Sequence, residues 1–355
     1  MSPMCLGLAS AHYCRDVGQP RDAARYHGDQ AAAPGMLDFA VNVRSEQPPS
    51  WLVERLAARL PDLAHYPSAD DVRRATRAAA LRHGRGEDEV VLLAGGAEGF
   101  ALLPRLRPRL AALVAPSFTE PEAALVAAGV PVHHVVLGPP FALAGADVPD
   151  GADLVVLGNP TNPTSVLHTR EQILALCRPG RIVVVDEAFA DAIPGEPESL
   201  AAYAGDGVVV LRSLTKTWAL AGLRVGYALG AADVLARLTH ERPHWPLGTL
   251  QLEAIAACCS PDAVAEAAAC AARLVAMRTE MAAALSAAGF DVVDGRAPYL
   301  LFSVADADLV RKKLHAKGIA VRRCDTFVGL DGHYLRVAVR REWPTLLDAI
   351  VEVTR

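Results

Sequence analysis

From about Val90 to Leu229 the chain alternates short apolar runs with longer segments of helical period: VVLL, AALVA, VPVHHVV, DLVVLG, RIVVVD, VVVLRS and GYALG. Ile182 to Val185 and Val208 to Leu211 are apolar at every position, which suits strands covered by helices on both faces. The pattern predicts an α/β fold around a mostly parallel sheet. Beyond Arg242 it changes. The alanine-rich segment from Pro261 to Ala288 has helical period, is long enough to bridge two domains and is expected to stop at Gly289. Strands then follow near Tyr299 to Val304, Ile319 to Arg323 and Tyr334 to Val339, with helices from about Asp306 to Lys317 and Glu342 to Val353. The expected division is an N-terminal arm over residues 1–35, a large domain over 36–250 and a smaller α+β domain with its linking helix over 251–355.

Composition narrows the class. A formal charge of −5 with 21% charged and 52% hydrophobic residues excludes a basic nucleic-acid binder and a disordered acidic tail. No apolar run reaches the roughly 18 residues that span a bilayer, and the first residues lack the pattern of a secretory leader, so a cytosolic chain with no membrane partner is expected. Seven cysteines without a C-x-x-C pair support neither a disulfide framework nor a metal site. The telling count is lysine. Only Lys216, Lys312, Lys313 and Lys317 occur, against 31 arginines. A lone lysine in mid-chain asks what only an amine can do, and it can form a Schiff base.

Ligands of an open parallel sheet bind beyond the carboxyl ends of its strands, and five strand ends here finish in polar or glycine-rich clusters. After the first run come Gly95, Gly96, Ala97 and Glu98, small residues that open a helix and leave backbone N–H groups for an anion; a tight turn with no ligand is the competing reading. Phe118 follows the second strand and either stacks on a flat cofactor or fills the core. Asn159 to Ser165 is turn-rich, and its asparagine amides can meet a ring hydroxyl. Asp186 ends a buried strand, where a carboxylate needs a cationic partner such as a ring nitrogen, unless it caps a helix. Ser213, Thr215 and Arg224 around Lys216 make a phosphate cradle beside a nucleophile.

The ordered set Asn162, Asp186, Ser213-Leu214-Thr215-Lys216 and Arg224 resembles the fold-type-I aminotransferase superfamily, which uses pyridoxal 5′-phosphate. The resemblance implies that Lys216 bonds the cofactor aldehyde as the catalytic amine, that Asp186 pairs with the ring nitrogen and that Asn162 meets the ring hydroxyl. It further implies that Gly96, Ala97 and Glu98, with Ser213, Thr215 and Arg224, surround the cofactor phosphate, and that Phe118 stacks on the ring. Tyr66 resembles the tyrosine that reaches the phosphate from a partner subunit, so a homodimer is implied. Three departures stand out. Phe189 replaces a tyrosine beside the ring hydroxyl, Ser165 stands where glycine follows Asn-Pro-Thr, and Pro121 takes the place of an aromatic residue.

Within the superfamily the chain resembles the histidinol-phosphate aminotransferase group, and particularly its threonine-phosphate decarboxylase branch in cobalamin synthesis. The segments that carry this are Tyr26-His27-Gly28-Asp29 with LDFAVNV, LTKTWALAGLRVGY, and GIAVRRCDTFVGLDGHYLRVAVR. In the last, strand alternation puts Tyr334, Arg336, Ala338 and Arg340 on one face. Arg336 matches the superfamily's carboxylate-binding arginine, Arg340 and Arg322 are candidates for a substrate phosphate, and His27 and Asn42 complete the expected substrate contacts. Decarboxylation of a phosphorylated amino acid is the first expectation. Aminotransfer on histidinol phosphate or a related substrate is the second, and a non-catalytic binding protein that keeps the fold is the alternative of another class.

Overall fold

The computed structural model describes residues 30–43 and 45–355. All seven apolar runs become strands of one sheet. They are β2 (Val90–Leu93), β3 (Ala111–Ala115), β4 (Val132–Val136), β5 (Leu154–Gly158), β6 (Ile182–Asp186), β7 (Val208–Ser213) and β8 (Gly226–Gly230), preceded in the chain by β1 (Leu37–Asp38). The order across the sheet is β2-β8-β7-β6-β5-β3-β4, and β8 alone runs antiparallel to its neighbours. Successive side chains enter opposite layers. Val155, Val183, Val185, Val208 and Val210 join the core under helices Ser50–Ala57, Ala69–His83 and Thr249–Cys258, while Val156, Val184, Val209 and Leu211 join the core that includes Phe100 and Leu235. Both faces are dry, which is why these strands show no polar alternation.

The helix Pro261–Ala287 is capped by Ser260, whose hydroxyl accepts from the Ala263 N–H, and Gly289 follows it at φ +93°. It joins the two cores, placing Ala263 and Ala267 in the large one and Leu274, Met281 and Leu285 in the small one. The small domain contains β9 (Tyr299–Ser303), β10 (Ile319–Ala320), β11 (Arg322–Arg323) and β12 (Tyr334–Ala338), beside helices Ala307–Ala316 and Trp343–Thr354. The expected strand over Ile319 to Arg323 is split at Val321. Its first half pairs with β1 and its second with β12, which also pairs with β9. Thus Leu37–Asp38 docks on the small domain and Phe39 enters that core. Among the described residues no single helix is long and apolar enough to cross a membrane.

Behind the ends of β6 and β7 lies a buried ionic network. Glu187 and Arg212 are 1% and 2% exposed and meet at 3.0 Å. Arg212 also pairs with Glu196 at 2.5 Å and with Asp191, and Arg82 bonds Asp191 at 2.8 Å. Glu187 further accepts from the Leu200 N–H and the Ser199 hydroxyl, each at 2.6 Å. Because Glu187 and Arg212 follow and precede Asp186 and Ser213 respectively, their ion pair ties together the two strand ends that carry those residues. Arg212→Met should therefore leave three buried or half-buried carboxylates short of a cation and cost about 3–5 kcal/mol. Urea denaturation should show that loss as a lower midpoint; an unchanged midpoint would deny the network its structural role.

Candidate active site

The ends of β2, β3, β5, β6 and β7 open into one cavity of about 370 Å³, closed on its other side by the segment 40–43 and by the small domain. Asp38 shapes that segment, its Oδ1 accepting from the Ala40 and Val41 N–H groups at 2.8 and 3.1 Å. Thirteen residues singled out from the sequence line this space. Gly96, Ala97, Phe118, Asn162, Asp186 and Phe189 do so from the large domain, as do Ser213, Thr215, Lys216 and Arg224; Asn42, Arg322 and Arg336 come from the other wall.

At one side the Ser213 and Thr215 hydroxyls lie 2.7 Å apart. Arg224 stands in the left-handed region at φ +59°, its carbonyl held by Gln251 Nε2 at 2.8 Å. Gly95, at φ +81°, lies so close that a Cβ there would come 3.1 Å from Arg224 Nη2. Glycine is thus needed for conformation and for room. Burial pushes the Asp186 carboxyl up to about 6, against the pull of the Ala188 N–H, which Oδ1 accepts at 3.1 Å, and of the Lys216 ammonium.

Arg336 is 4% exposed, and burial lowers its pKa. Its Nη1 donates to Asn162 Oδ1 and its Nη2 to the Ala40 carbonyl, both at 2.5 Å, and its guanidinium lies 5.1 Å from the centroid of the Tyr299 ring. These hydrogen-bond partners are neutral, so the group has room for a carboxylate. Arg322 donates to Thr326 Oγ1 at 3.0 Å and packs on Phe327 at 5.0 Å. Asn42 is 7% exposed and its Oδ1 has no partner.

Three expected residues stand elsewhere. Glu98 is not among the cavity's lining residues; it accepts from Arg242, 144 residues away, at 2.7 and 2.8 Å and from the Ala94 N–H at 2.6 Å. Arg340 lies past the end of β12, where the strict alternation stops, and reaches the Val43 carbonyl at 3.4 Å rather than the cavity. Tyr66 is 75% exposed and stacks on Trp245 at 4.3 Å, outside the cavity of its own chain. His27 lies outside the described residues.

Sequence reasoning missed Tyr299, which supports Arg336, meets Phe189 edge-on at 5.0 Å and donates to the Thr161 carbonyl at 3.0 Å. Its neighbours in sequence are apolar and gave no signal. Phe327 and Thr326 were equally missed as supports of Arg322. Pro121 is explained by its place in the first turn of the helix Glu120–Ala127, where a missing N–H costs nothing.

The model for aminotransferase class I and II matches residues 34–350. The chain belongs to that family. A histidinol-phosphate aminotransferase of Mycobacterium tuberculosis is 69% identical over 94% of this chain and 92% of its own length. A threonine-phosphate decarboxylase of Salmonella typhimurium is 31% identical over 91% of each. Among solved structures, a histidinol-phosphate aminotransferase from Clostridium acetobutylicum superposes with a TM-score of 0.82 at 22% identity, covering 90% of this chain and 99% of that one. A threonine-O-3-phosphate decarboxylase from Porphyromonas gingivalis reaches 0.78 at 22%, covering 89% and 97%. The fold is common to both activities, but 69% against 31% overturns the expected placement in the decarboxylase branch and, with it, the expected decarboxylation in cobalamin synthesis.

Membership makes the chain a pyridoxal-phosphate-dependent enzyme of fold type I, with a large and a small domain. The residues present fit the cofactor. A cationic ring nitrogen would suit the buried Asp186 carboxyl, and the paired hydroxyls with Arg224 suit a phosphate.

The sign of the Asp186 shift makes a test. A carboxyl raised in the native state binds its proton to higher pH than in the unfolded chain, so the cofactor-free protein loses stability as pH rises from about 4 to about 6. Asp186→Asn should abolish that loss. Near pH 7.5 the cofactor-free variant is expected to be more stable than the native chain by about 3 kcal/mol, and near pH 4 about equal to it. Urea denaturation at both pH values checks this, and equal stabilities near pH 7.5 would contradict it.

Proposed function

We propose that this protein is an aminotransferase acting on histidinol phosphate or a closely related phosphorylated amino compound. The observation that carries the reading is the convergence of two buried guanidinium groups, Arg322 and Arg336, on the cavity that also holds Lys216 and Asp186. Two guanidinium groups on one cavity suit anionic substrates, the phosphate of the amino donor in one half-reaction and the carboxylates of a 2-oxo acid in the other. The name and 69% identity of the mycobacterial relative support the same substrate class.

Bound pyridoxal phosphate supplies an aldehyde and an electron-withdrawing ring that stabilises negative charge at the substrate Cα. The Lys216 amine would anchor it and would move the proton at the substrate Cα. Asp186 would pair with the ring nitrogen and keep it protonated. Asn162, whose Oδ1 is occupied by Arg336, has its Nδ2 left to donate to the ring oxygen, and this suits a site in which Phe189 offers no hydroxyl. Ser213, Thr215 and Arg224 would bind the cofactor phosphate, Gly96 and Ala97 would leave room for it, and Phe118 would pack beside the ring. Arg336 would bind a carboxylate of the 2-oxo acid in exchange for the neutral oxygens it now holds. Arg322, oriented by Thr326 and Phe327, reads the phosphate, and Asn42 Oδ1 accepts a hydrogen bond from a donor on the substrate.

Incubation of the enzyme with histidinol phosphate and 2-oxoglutarate should yield glutamate, and kcat/KM for histidinol should be lower by roughly 100-fold or more. Arg322→Ala should shrink that ratio at least about tenfold, while Arg340→Ala leaves it near the native value. Comparable kcat/KM for the two amines would sink the phosphate-reading site; carbon dioxide release from threonine phosphate without glutamate formation would sink aminotransfer.

The exposed Tyr66 supports a homodimer in which each copy completes the other's phosphate site. Mixing Lys216→Ala with Tyr66→Ala protein, each nearly inactive alone, should regenerate about a quarter of native activity once subunits exchange, because one site in a mixed dimer carries both intact residues. Sedimentation as an active monomer would remove the shared-site model.

A further inference from the structure

Ser165 replaces the glycine expected after Asn-Pro-Thr, yet its backbone keeps the conformation that favours glycine, with φ +67°. The residue is 0% exposed and every polar group on it is engaged. Its N–H donates to the Thr161 carbonyl at 2.7 Å, closing the turn that carries Asn162. Its carbonyl accepts from the Arg296 N–H at 2.6 Å, and its Oγ accepts from the Ala297 N–H at 2.8 Å. Both of these bonds cross to the segment that leads into β9. Tyr299 adds a third crossing through its hydroxyl to Thr161.

The receiving segment is shaped for this side chain. A Cβ at Gly295 would come 2.5 Å from the Ser165 Cβ and carbonyl oxygen, so only glycine passes there. Glycine at 165 would relax the backbone and could keep both main-chain bonds. It would lose only the hydroxyl, leaving the buried Ala297 N–H without its acceptor. The strain of a left-handed serine is therefore tolerated for one additional tether between the cofactor turn and the small domain. The same two parts meet again where Arg336 donates to Asn162.

We propose that Ser165 is a positioning residue, latching the small domain to the Asn162 turn so that the contact between Arg336 and Asn162 is set before substrate arrives. The proposal rests on the reading of Asn162 as a cofactor contact and Arg336 as a substrate contact. It predicts a domain junction that is already closed in the resting enzyme rather than drawn shut by substrate.

The test uses the holoenzyme of Ser165→Gly and Gly295→Ala. In Ser165→Gly, amide exchange at Ala297 should accelerate about tenfold, the free-energy equivalent of one hydrogen bond, with β6 and β7 unaltered. The pH midpoint of the cofactor's visible absorption should shift without substrate present, because the donor to the ring oxygen is less well held. KM for the amino substrate should rise several-fold with kcat changed by less than about twofold. Gly295→Ala, which leaves Ser165 in place but pushes the receiving segment away, should reproduce all three effects. Unchanged exchange at Ala297 in Ser165→Gly would overturn the latch. So would faster exchange spread evenly over the chain with an unmoved absorption midpoint, since that is the mark of lost stability alone. The exchange and absorption readouts need no substrate, so an error in the proposed substrate would show only in KM.

Discussion

Charge buried in the facing walls of the cavity is the constraint on which this molecule is organised. Asp186 ends a strand whose other side chains are apolar, and its carboxyl resists ionisation at the bottom of the cavity. Arg336 sits nearly as deep in the facing domain and leans on neutral oxygens. Neither arrangement is chosen for stability alone, since removing solvent from a charge costs more than a hydrogen bond returns. Both make sense as halves of pairs completed by a cationic ring nitrogen and an anionic substrate. The ion pair between Glu187 and Arg212 behind the sheet shows the alternative, a charge cluster satisfied within the protein and set aside from the cavity.

Geometry follows from the sheet. In parallel strands buried on both faces, the polar residue that ends each strand has nowhere to go but the shared edge, so five ends converge without any long-range signal in the sequence. That is why Gly96, Phe118, Asn162, Asp186 and Ser213 with Lys216 could be picked out in one dimension and found in one cavity. Lys216 was legible through scarcity, and Arg336 through alternation along β12.

What escaped the sequence depended on partners far along the chain. Glu98 belongs to Arg242, Tyr299 to Thr161 and Arg336, and Arg340 falls just beyond the strand whose alternation placed it beside Arg336. The split of Ile319 to Arg323 reflects two different neighbours, β1 and β12, competing for adjacent residues. The branch within the family was misjudged for a related reason. Its marker was a motif around β12 that serves anion binding generally, whereas the choice of reaction lies in how the substrate is turned, which no local motif records. Identity over the whole chain, 69% against 31%, decided what the motif could not.

The claim that joins these points is that Asp186 holds a proton on the cofactor's ring nitrogen and so makes the ring an electron sink. It is tested most directly by nitrogen-15 magnetic resonance of the enzyme loaded with ring-labelled pyridoxal phosphate. The expected result is a pyridinium shift that persists from pH 6 to pH 9, far above the range in which a free pyridine gives up its proton. A neutral pyridine shift at pH 7.5 would contradict the account at its centre.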